Sequence, residues 1–255
     1  MENAPIALQF SSVSFSYPAL DVLEDVSFHF HTGEFIALVG PNGSGKTTLL
    51  KLILGLEEPQ AGTISLLGQT PKKNRNRIGY VPQHASYDPT FPITVVEVVS
   101  MGLVSPTKRG KREAMQKQAL WALKQVELES LASRSYSELS GGQRRRVLVA
   151  RALCAKPSML ILDEPAANMD KESERRLYAT LAHLKGETTI LIVTHDMRQV
   201  SDLTDRVFCI DAHKQGKVGR TVVQHALENF DDGTKRILHD VQLSGDQCQK
   251  ESLNG

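Results

Sequence analysis

One stretch constrains the fold more than any other: Gly40-Pro41-Asn42-Gly43-Ser44-Gly45-Lys46-Thr47, spaced G-x-x-x-x-G-K-[ST]. It follows the unbroken apolar run Phe35-Ile36-Ala37-Leu38-Val39 and leads into the helical run Thr48–Leu54. A strand, a glycine-rich turn and a helix in that order make a phosphate cradle. The glycines let successive backbone N–H groups turn toward one centre. The helix aims the positive end of its dipole at the same point. Lys46 adds a mobile charge for the outer phosphates. Thr47 offers a hydroxyl to Mg²⁺, which takes few protein ligands beside phosphate oxygens. A chance match in a chain this long is about one in a hundred.

The apolar runs set the fold class. Met159-Leu160-Ile161-Leu162 and Thr189-Ile190-Leu191-Ile192-Val193 resemble the run at 35–39. Strands apolar on both faces belong to a parallel sheet covered on both sides. Helix-like stretches lie between them, so the core reads as α/β, a P-loop NTPase core. Residues 6–15 and 26–30 partly alternate and read as an antiparallel β edge subdomain. From about Thr94 to Lys156 there is no strong strand signal. Glu113–Glu129 carries Leu120, Leu123 and Val126 on a helical face with Trp121 beside them, and a second helix should run from near Ser140 to Ala155, halted by Pro157. That block, about 94–156, reads as an inserted α-helical subdomain. The main domain is expected over 1–220, with a helical or disordered C-terminal tail over 221–255. Within the tail, Asp231-Asp232-Gly233 is a turn signal and Ser244–Gly255 is polar and frayed. The basic run from Pro106 to Arg112 reads as a solvated connector.

Composition excludes several classes. With 40% hydrophobic and 23% charged residues the 255-residue chain is globular, neither disordered nor fibrous. Lys+Arg total 30 and Asp+Glu 29, a balance that argues against an electrostatic nucleic-acid binder. No apolar run approaches the ~18–20 residues of a membrane span. The opening Met1-Glu2-Asn3-Ala4-Pro5 has neither basic start nor apolar stretch of signal type. Cys154, Cys209 and Cys248 are an odd number at wide spacing, so no disulfide framework is implied, and a reduced cytosolic compartment fits. His29 and His31 form an H-x-H pair with no third ligand evident.

Two further motifs carry chemistry. Leu160-Ile161-Leu162-Asp163-Glu164 places two acids at the carboxyl end of a buried strand, where ligands of open α/β sheets bind. Asp163 is suited to hold Mg²⁺ through water and Glu164 to orient and polarise an attacking water, two jobs that phosphoryl transfer requires. Leu139-Ser140-Gly141-Gly142-Gln143 opens a helix. Ser140 is a good N-cap and the glycines leave N–H groups uncovered, which makes a second anion site.

Together these motifs, in this order, resemble the ATPase subunit of ATP-binding cassette (ABC) transporters, from about Ile6 to about Gly219. The resemblance implies ATP and Mg²⁺ as cofactors. It matches Tyr17 to the aromatic residue that stacks on adenine and Gly40 to Thr48 to the phosphate loop. Ser140, Gly141, Gly142 and Gln143 fall in the family signature. Gln83, in Tyr80-Val81-Pro82-Gln83, matches the Q-loop glutamine that touches Mg²⁺ and the attacking water. Asp163 matches the Walker B aspartate and Glu164 the general base. Ala167-Asn168-Met169-Asp170 matches the D-loop, with Met169 where leucine is usual, a swap of similar volume. His195 matches the switch histidine at the γ-phosphate.

The same resemblance implies a homodimer closed on ATP, head to tail, with the phosphate loop of one copy facing the signature of the other. It implies a separate integral-membrane permease as partner, and a peripheral location at the cytoplasmic face of the inner membrane. The permease docks on the segment after the Q-loop. Here that segment runs His84–Val95 and includes Asp88-Pro89-Thr90-Phe91-Pro92-Ile93-Thr94-Val95. That wording is similar to the zinc/manganese/iron branch of importers, whose cargo is presented by an extracytoplasmic metal-binding protein. The alternatives are a cassette for a siderophore, haem or cobalamin, or a soluble non-transport ABC ATPase. The soluble kind usually carries two cassettes or long coiled coils, and neither is present. Glu164 and His195 argue against a regulator that does not hydrolyse.

Overall fold

The structure is a computed structural model and describes residues 4–103, 112–167, 169–195, 202–211, 219–229 and 235–243. Part of the connector expected at 106–112, Asn168 of the D-loop and the tail at 244–255 lie outside the described residues. In chain order the elements are β1 (Ile6–Tyr17), β2 (Leu20–His31), β3 (Phe35–Val39), α1 (Lys46–Ile53), β4 (Ala61–Leu66), α2 (Pro71–Asn74), β5 (Ile78–Val81), α3 (Val95–Ser100), α4 (Arg112–Gln125), α5 (Gly141–Leu153), β6 (Met159–Asp163), α6 (Lys171–Leu184), β7 (Thr189–Val193), β8 (Arg206–Asp211), β9 (Thr221–Asn229) and β10 (Lys235–Leu243). They group into two compact units, Met1–Arg75 with Lys185–Gly255, and Asn76–Leu184.

The first unit is built on β3. All five of its residues are buried. It runs parallel to β7, with Phe35 opposite Ile190 and Leu38 opposite Val193, and parallel to β8, with Ile36 opposite Arg206. Each such buried aliphatic or aromatic side chain contributes about 1.5–3 kcal/mol. β1 joins β2 and β4 in a separate antiparallel sheet of order β2-β1-β4. An aromatic cluster ties that sheet to β8. Phe28 stacks on Phe10 (4.6 Å between centroids), and Phe28 and Phe30 both pack on Phe208 (5.4 and 5.1 Å). The buried Arg206 donates to the His29 carbonyl (2.8 Å) and pairs with Glu34 (3.4 Å), which in turn meets His31 Nδ1 (3.1 Å). The rings of His29 and His31 abut edge to face at 4.9 Å, and His31 serves this carboxylate.

Beyond β8 the structure corrects the sequence reading. Two strands, not a helical or disordered tail, occupy most of 221–243. β9 pairs antiparallel with β8, from Asp211 opposite Thr221 to Val207 opposite His225, and β10 pairs with β9. The four consecutive residues Val222, Val223, Gln224 and His225 are all buried. A strand covered on both faces loses the apolar–polar alternation that would announce it.

The second unit holds β5 and β6 side by side and parallel, with Tyr80 opposite Ile161 and Val81 opposite Leu162. Its described residues from 95 to 153 form helices and turns, as the sequence indicates. Thr94 and Glu97 close a capping box at the start of α3. The buried face of α4 and its exit is Ala119, Ala122, Leu123 and Val126, all 0% exposed. Trp121 and Leu120 are half-buried, and Lys156 Nζ lies 4.9 Å from the Trp121 ring. α5 ends at Leu153, ahead of Pro157.

Candidate nucleotide site

In the first unit, β3 delivers the chain into the phosphate loop and α1 carries it away. Gly43 and Gly45 hold left-handed backbones (φ 74° and 95°), a region glycine enters at little cost. Gly45 is also sterically pinned: a Cβ there would lie 2.9 Å from Val22 Cγ1. The first backbone bond of α1 runs from Leu49 N–H to Gly45 O (2.9 Å), and the N–H groups ahead of a helix's first bond have no intrahelical partner. Lys46 Nζ donates to the carbonyls of Gly40 and Pro41 (2.7 and 2.9 Å), which holds its charge at the loop. Asn42 and Thr47 are exposed, and Thr48 is buried under the helix.

Tyr17 ends β1 beside α1. Its hydroxyl accepts from Lys51 Nζ at 3.2 Å, and Phe15 meets its ring edge-on at 5.1 Å. The ring is half-buried, and Lys51 Nζ lies 5.5 Å from its centroid. His195 follows β7. Thr194 N–H donates to Leu38 O at 3.1 Å, so the exposed His195 leaves the same strand edge as Gly40. Sequence reasoning missed Arg220, whose guanidinium donates to the Gly43 carbonyl at the tip of the loop. No local pattern marks it, because the contact spans 177 residues.

In the second unit, β5 and β6 end at the same edge. Gln83 follows β5 by two residues and is exposed. Asp163 closes β6, with Glu164 beyond it. Tyr80 is hydrogen-bonded to Asp163, and burial, followed by the Asp163 charge, raises its phenol pKa. Glu164 is buried and has a left-handed backbone (φ 45°), unusual outside glycine. Asp170 accepts the Ser173 N–H at 2.9 Å and so caps α6. A hydrogen bond from the Ser173 side chain, followed by the one from its N–H, lowers the Asp170 pKa.

The signature opens α5 as expected. Ser140 is the N-cap: its Oγ accepts the Gln143 N–H (3.2 Å), and Gln143 Oε1 accepts the Ser140 N–H (3.0 Å). Both side chains are thus committed to one capping box. The anion-binding groups left at this end are backbone N–H groups. No acidic residue stands in the first turn. The sequence reading also missed the arginine run that follows. Arg144 Nη1 donates to Leu139 O (2.6 Å) and its guanidinium lies 5.1 Å from the Tyr87 ring. Arg145 is buried and bonds backbone carbonyls after both β5 and β6. Burial, partly offset by the Asp163 charge, lowers its pKa. Nothing local marks them, because charged side chains are by default solvated.

The ABC transporter family matches residues 23–167, a span that includes the phosphate loop, Gln83, the signature and Asp163-Glu164. The chain belongs to this family. The cassette is 41% identical over 213 residues to the zinc uptake system ATP-binding protein ZurA of Listeria innocua, covering 80% of this chain and 82% of that protein. It is 39% identical to the manganese transport system ATP-binding protein MntB of Bacillus subtilis, covering 81% and 84%. Among solved structures it is similar to cbiO1 from Clostridium perfringens, part of the ABC transporter complex cbiONQ (30% identity, 86% of this chain and 88% of that one, TM-score 0.73). It is also similar to the dimeric MJ0796 cassette (29% identity, 79% and 93%, TM-score 0.69).

The loop of this cassette fits a nucleotide phosphate on its own geometry. Ser44 Oγ is buried and has no hydrogen-bond partner among the described residues. It points toward Gly40, where a Cβ would lie 2.8 Å from it. A buried hydroxyl left without a partner costs about 1–3 kcal/mol, and a phosphate oxygen in the loop would satisfy it. Among the described residues no helix is long and apolar enough to cross a membrane.

Proposed function

We propose that this cassette is the ATP-hydrolysing subunit of an importer for divalent metal ions, zinc or manganese foremost. The observation that carries the cargo is the identity of about four residues in ten with ZurA and MntB over some four fifths of each chain. The orphaned Ser44 hydroxyl, the charge of Lys46 and the uncapped N-terminus of α1 support nucleotide binding.

Each residue then has a role. Gly40, Pro41, Asn42, Gly43, Ser44, Gly45, Lys46, Thr47 and Thr48 bind the triphosphate, and Tyr17 stacks on adenine. Thr47, Gln83 and Asp163 are the residues that would hold Mg²⁺, which when bound neutralises charge on the phosphate oxygens. Glu164 accepts a proton from the attacking water while Gln83 orients it. His195 contacts the γ-phosphate. Ser140, Gly141, Gly142 and Gln143 present backbone N–H groups to the nucleotide of a second copy, so ATP joins a homodimer and hydrolysis releases it.

The chain works at the cytoplasmic face of the inner membrane, bound to a separate permease that receives metal from an extracytoplasmic binding protein. The docking surface is the segment after Gln83. Tyr87, Phe91 and Met101 are 40%, 59% and 50% exposed there, large apolar groups suited to cover by a partner. Deleting this chain should lower cellular zinc or manganese, and restoring the wild type but not Lys46→Ala should recover it. Unchanged zinc, manganese and iron beside the loss of another nutrient would overturn the cargo assignment.

A further inference from the structure

Arg145 lies one turn into α5, is 9% exposed, and makes five hydrogen bonds, all to main-chain carbonyls. Nε donates to Pro165 O (2.8 Å). Nη1 donates to Pro82 O (2.5 Å) and Gln83 O (3.1 Å). Nη2 donates to Asp163 O (2.8 Å) and Glu164 O (2.9 Å). A guanidinium has five N–H donors and no acceptor, so the group is matched donor for acceptor. Its burial is tolerable on that account, since a buried charge is costly unless fully hydrogen-bonded.

The identity of the five carbonyls is informative. Two belong to the exit of β5 and three, consecutive, to the exit of β6. Successive carbonyls of an extended strand point to opposite sides, so three in a row cannot meet one planar group. They meet Arg145 because the chain turns at Glu164, whose φ is 45°. A glutamate seldom adopts that backbone, and such strain persists where surrounding bonds over-determine it. Arg145 supplies bonds on both sides of the strained residue and to it.

We propose that Arg145 is a positioning residue for ATP hydrolysis: it locks the left-handed turn at Glu164 and fixes the Gln83 backbone relative to it, so that carboxylate and amide address one water. The inference rests on the proposed roles of Glu164 and Gln83. A side chain without donors at 145 removes these bonds, and relaxation of Glu164 toward ordinary φ swings its carboxylate away. Displacing a catalytic group by about 1 Å costs on the order of 100-fold in rate. Arg145's five bonds all go to residues of its own unit, and the phosphate loop belongs to the other, so ATP affinity should not follow.

The test uses the full chain and compares Arg145→Met, Arg145→Lys, Glu164→Gln and the Arg145→Met/Glu164→Gln pair. Steady-state turnover gives kcat and KM, and a fluorescent ATP analogue gives Kd. Arg145→Met should lower kcat about 100-fold with Kd within about twofold of wild type. Arg145→Lys, which keeps the charge and three donors, should fall between the two. In the Glu164→Gln background Arg145→Met should cost no more than about threefold further, because residues that act as a unit are not additive. Losses that multiply in the double variant, or a raised Kd at unchanged kcat, would overturn the proposal. So would Arg145→Met turnover near wild type beside an inactive Glu164→Gln. Turnover retained in Glu164→Gln itself would instead overturn the role of Glu164, and with it this inference. If Arg145→Met does not fold, Arg145→Lys decides: a drop in kcat of about tenfold at constant Kd upholds the role, and an unchanged kcat rejects it.

Discussion

Gly141 and Gly142 are neighbours in the signature and look interchangeable in the sequence, yet they are glycine for different reasons. A Cβ on Gly141 would meet nothing within 4 Å, and the residue is exposed. A Cβ on Gly142 would collide with both Cβ and Oγ of Ser173 and lie 3.4 Å from the Asp170 carboxylate. Ser173 sits in the first turn of α6 with its N–H held by Asp170 at 2.9 Å. Its Cβ cannot retreat by changing rotamer, so the two helix backbones must part. Overpacking of that kind costs about 1–3 kcal/mol, offset by the roughly 0.5–1 kcal/mol that alanine gains over glycine in a helix. Gly142→Ala should therefore lose up to about 2.5 kcal/mol. At roughly 2–4 °C per kcal/mol for a chain of this length, Tm should fall by as much as about 10 °C. Gly141→Ala should hold its Tm or gain a little. Its new methyl would face the nucleotide proposed for the partner copy, so its ATP turnover should fall by more than about tenfold, a loss of about 1.4 kcal/mol in the barrier term. Thermal unfolding by circular dichroism without nucleotide, beside phosphate release with it, reads both effects. Ser173→Gly removes both colliding atoms and should recover part of the Tm lost in Gly142→Ala, measured against Ser173→Gly alone. The packing account fails if Gly141→Ala destabilises as much as Gly142→Ala, or if Ser173→Gly recovers nothing.

Three further outcomes are expected. Glu164→Gln should keep ATP binding and accumulate an ATP-bound dimer, seen as a shift on size-exclusion chromatography with ATP; an elution volume indifferent to ATP would count against closure on the nucleotide. Tyr87 packs against Tyr136 (5.3 Å) and Arg144 (5.1 Å), so Tyr87→Ala should cost about 1–2.5 kcal/mol in aromatic and cation–π contacts; Tyr87→Phe should leave Tm near wild type, and equal losses in both variants would refute the ring's role. Burial raises the Cys154 thiol pKa from 9.0 to about 11. The folded state therefore favours the protonated thiol, and its contribution to stability is whole below pH 9 and is lost as pH rises through about 11. At pH 8 Cys154 should resist iodoacetamide in the folded chain and react after denaturation, by peptide-resolved mass spectrometry; labelling in the native state would contradict it.

What the sequence disclosed was what is encoded locally. The run 35–39, the loop 40–47, the acids 163–164 and the helix start at 140 each announce themselves within a dozen residues, through unbroken apolar character, glycine spacing or a cap. What stayed hidden depends on distant partners. β5 is four residues long and contains Gly79, where a Cβ would lie 2.7 Å from the Ala152 carbonyl, so close packing chose a residue that reads as a strand breaker. β9 lost its alternation to burial on both faces. Arg145 and Arg220 carry long-range contacts on side chains whose default place is solvent.

The run Arg144-Arg145-Arg146 departs from the solvated place usual for charged side chains. Positive side chains at a helix N-terminus oppose its dipole, so a solvated basic face would be misplaced in the first turns of α5. Successive residues step about 100° around the axis, and the three guanidiniums accordingly leave in three directions. Arg144 reaches back to Leu139 O and over Tyr87. Arg145 reaches the exits of β5 and β6. Arg146, 5% exposed, donates to Val126 O just past the end of α4 at 2.9 Å. The acceptors of these bonds are main-chain carbonyls, so no carboxylate neutralises these cations through them. The helix start therefore keeps its positive character while its first turns are tied to Tyr87, to the strand exits and to α4. That combination suits the proposed role of this N-terminus, to meet a triphosphate without shifting, a role that apolar residues at these positions would serve less well.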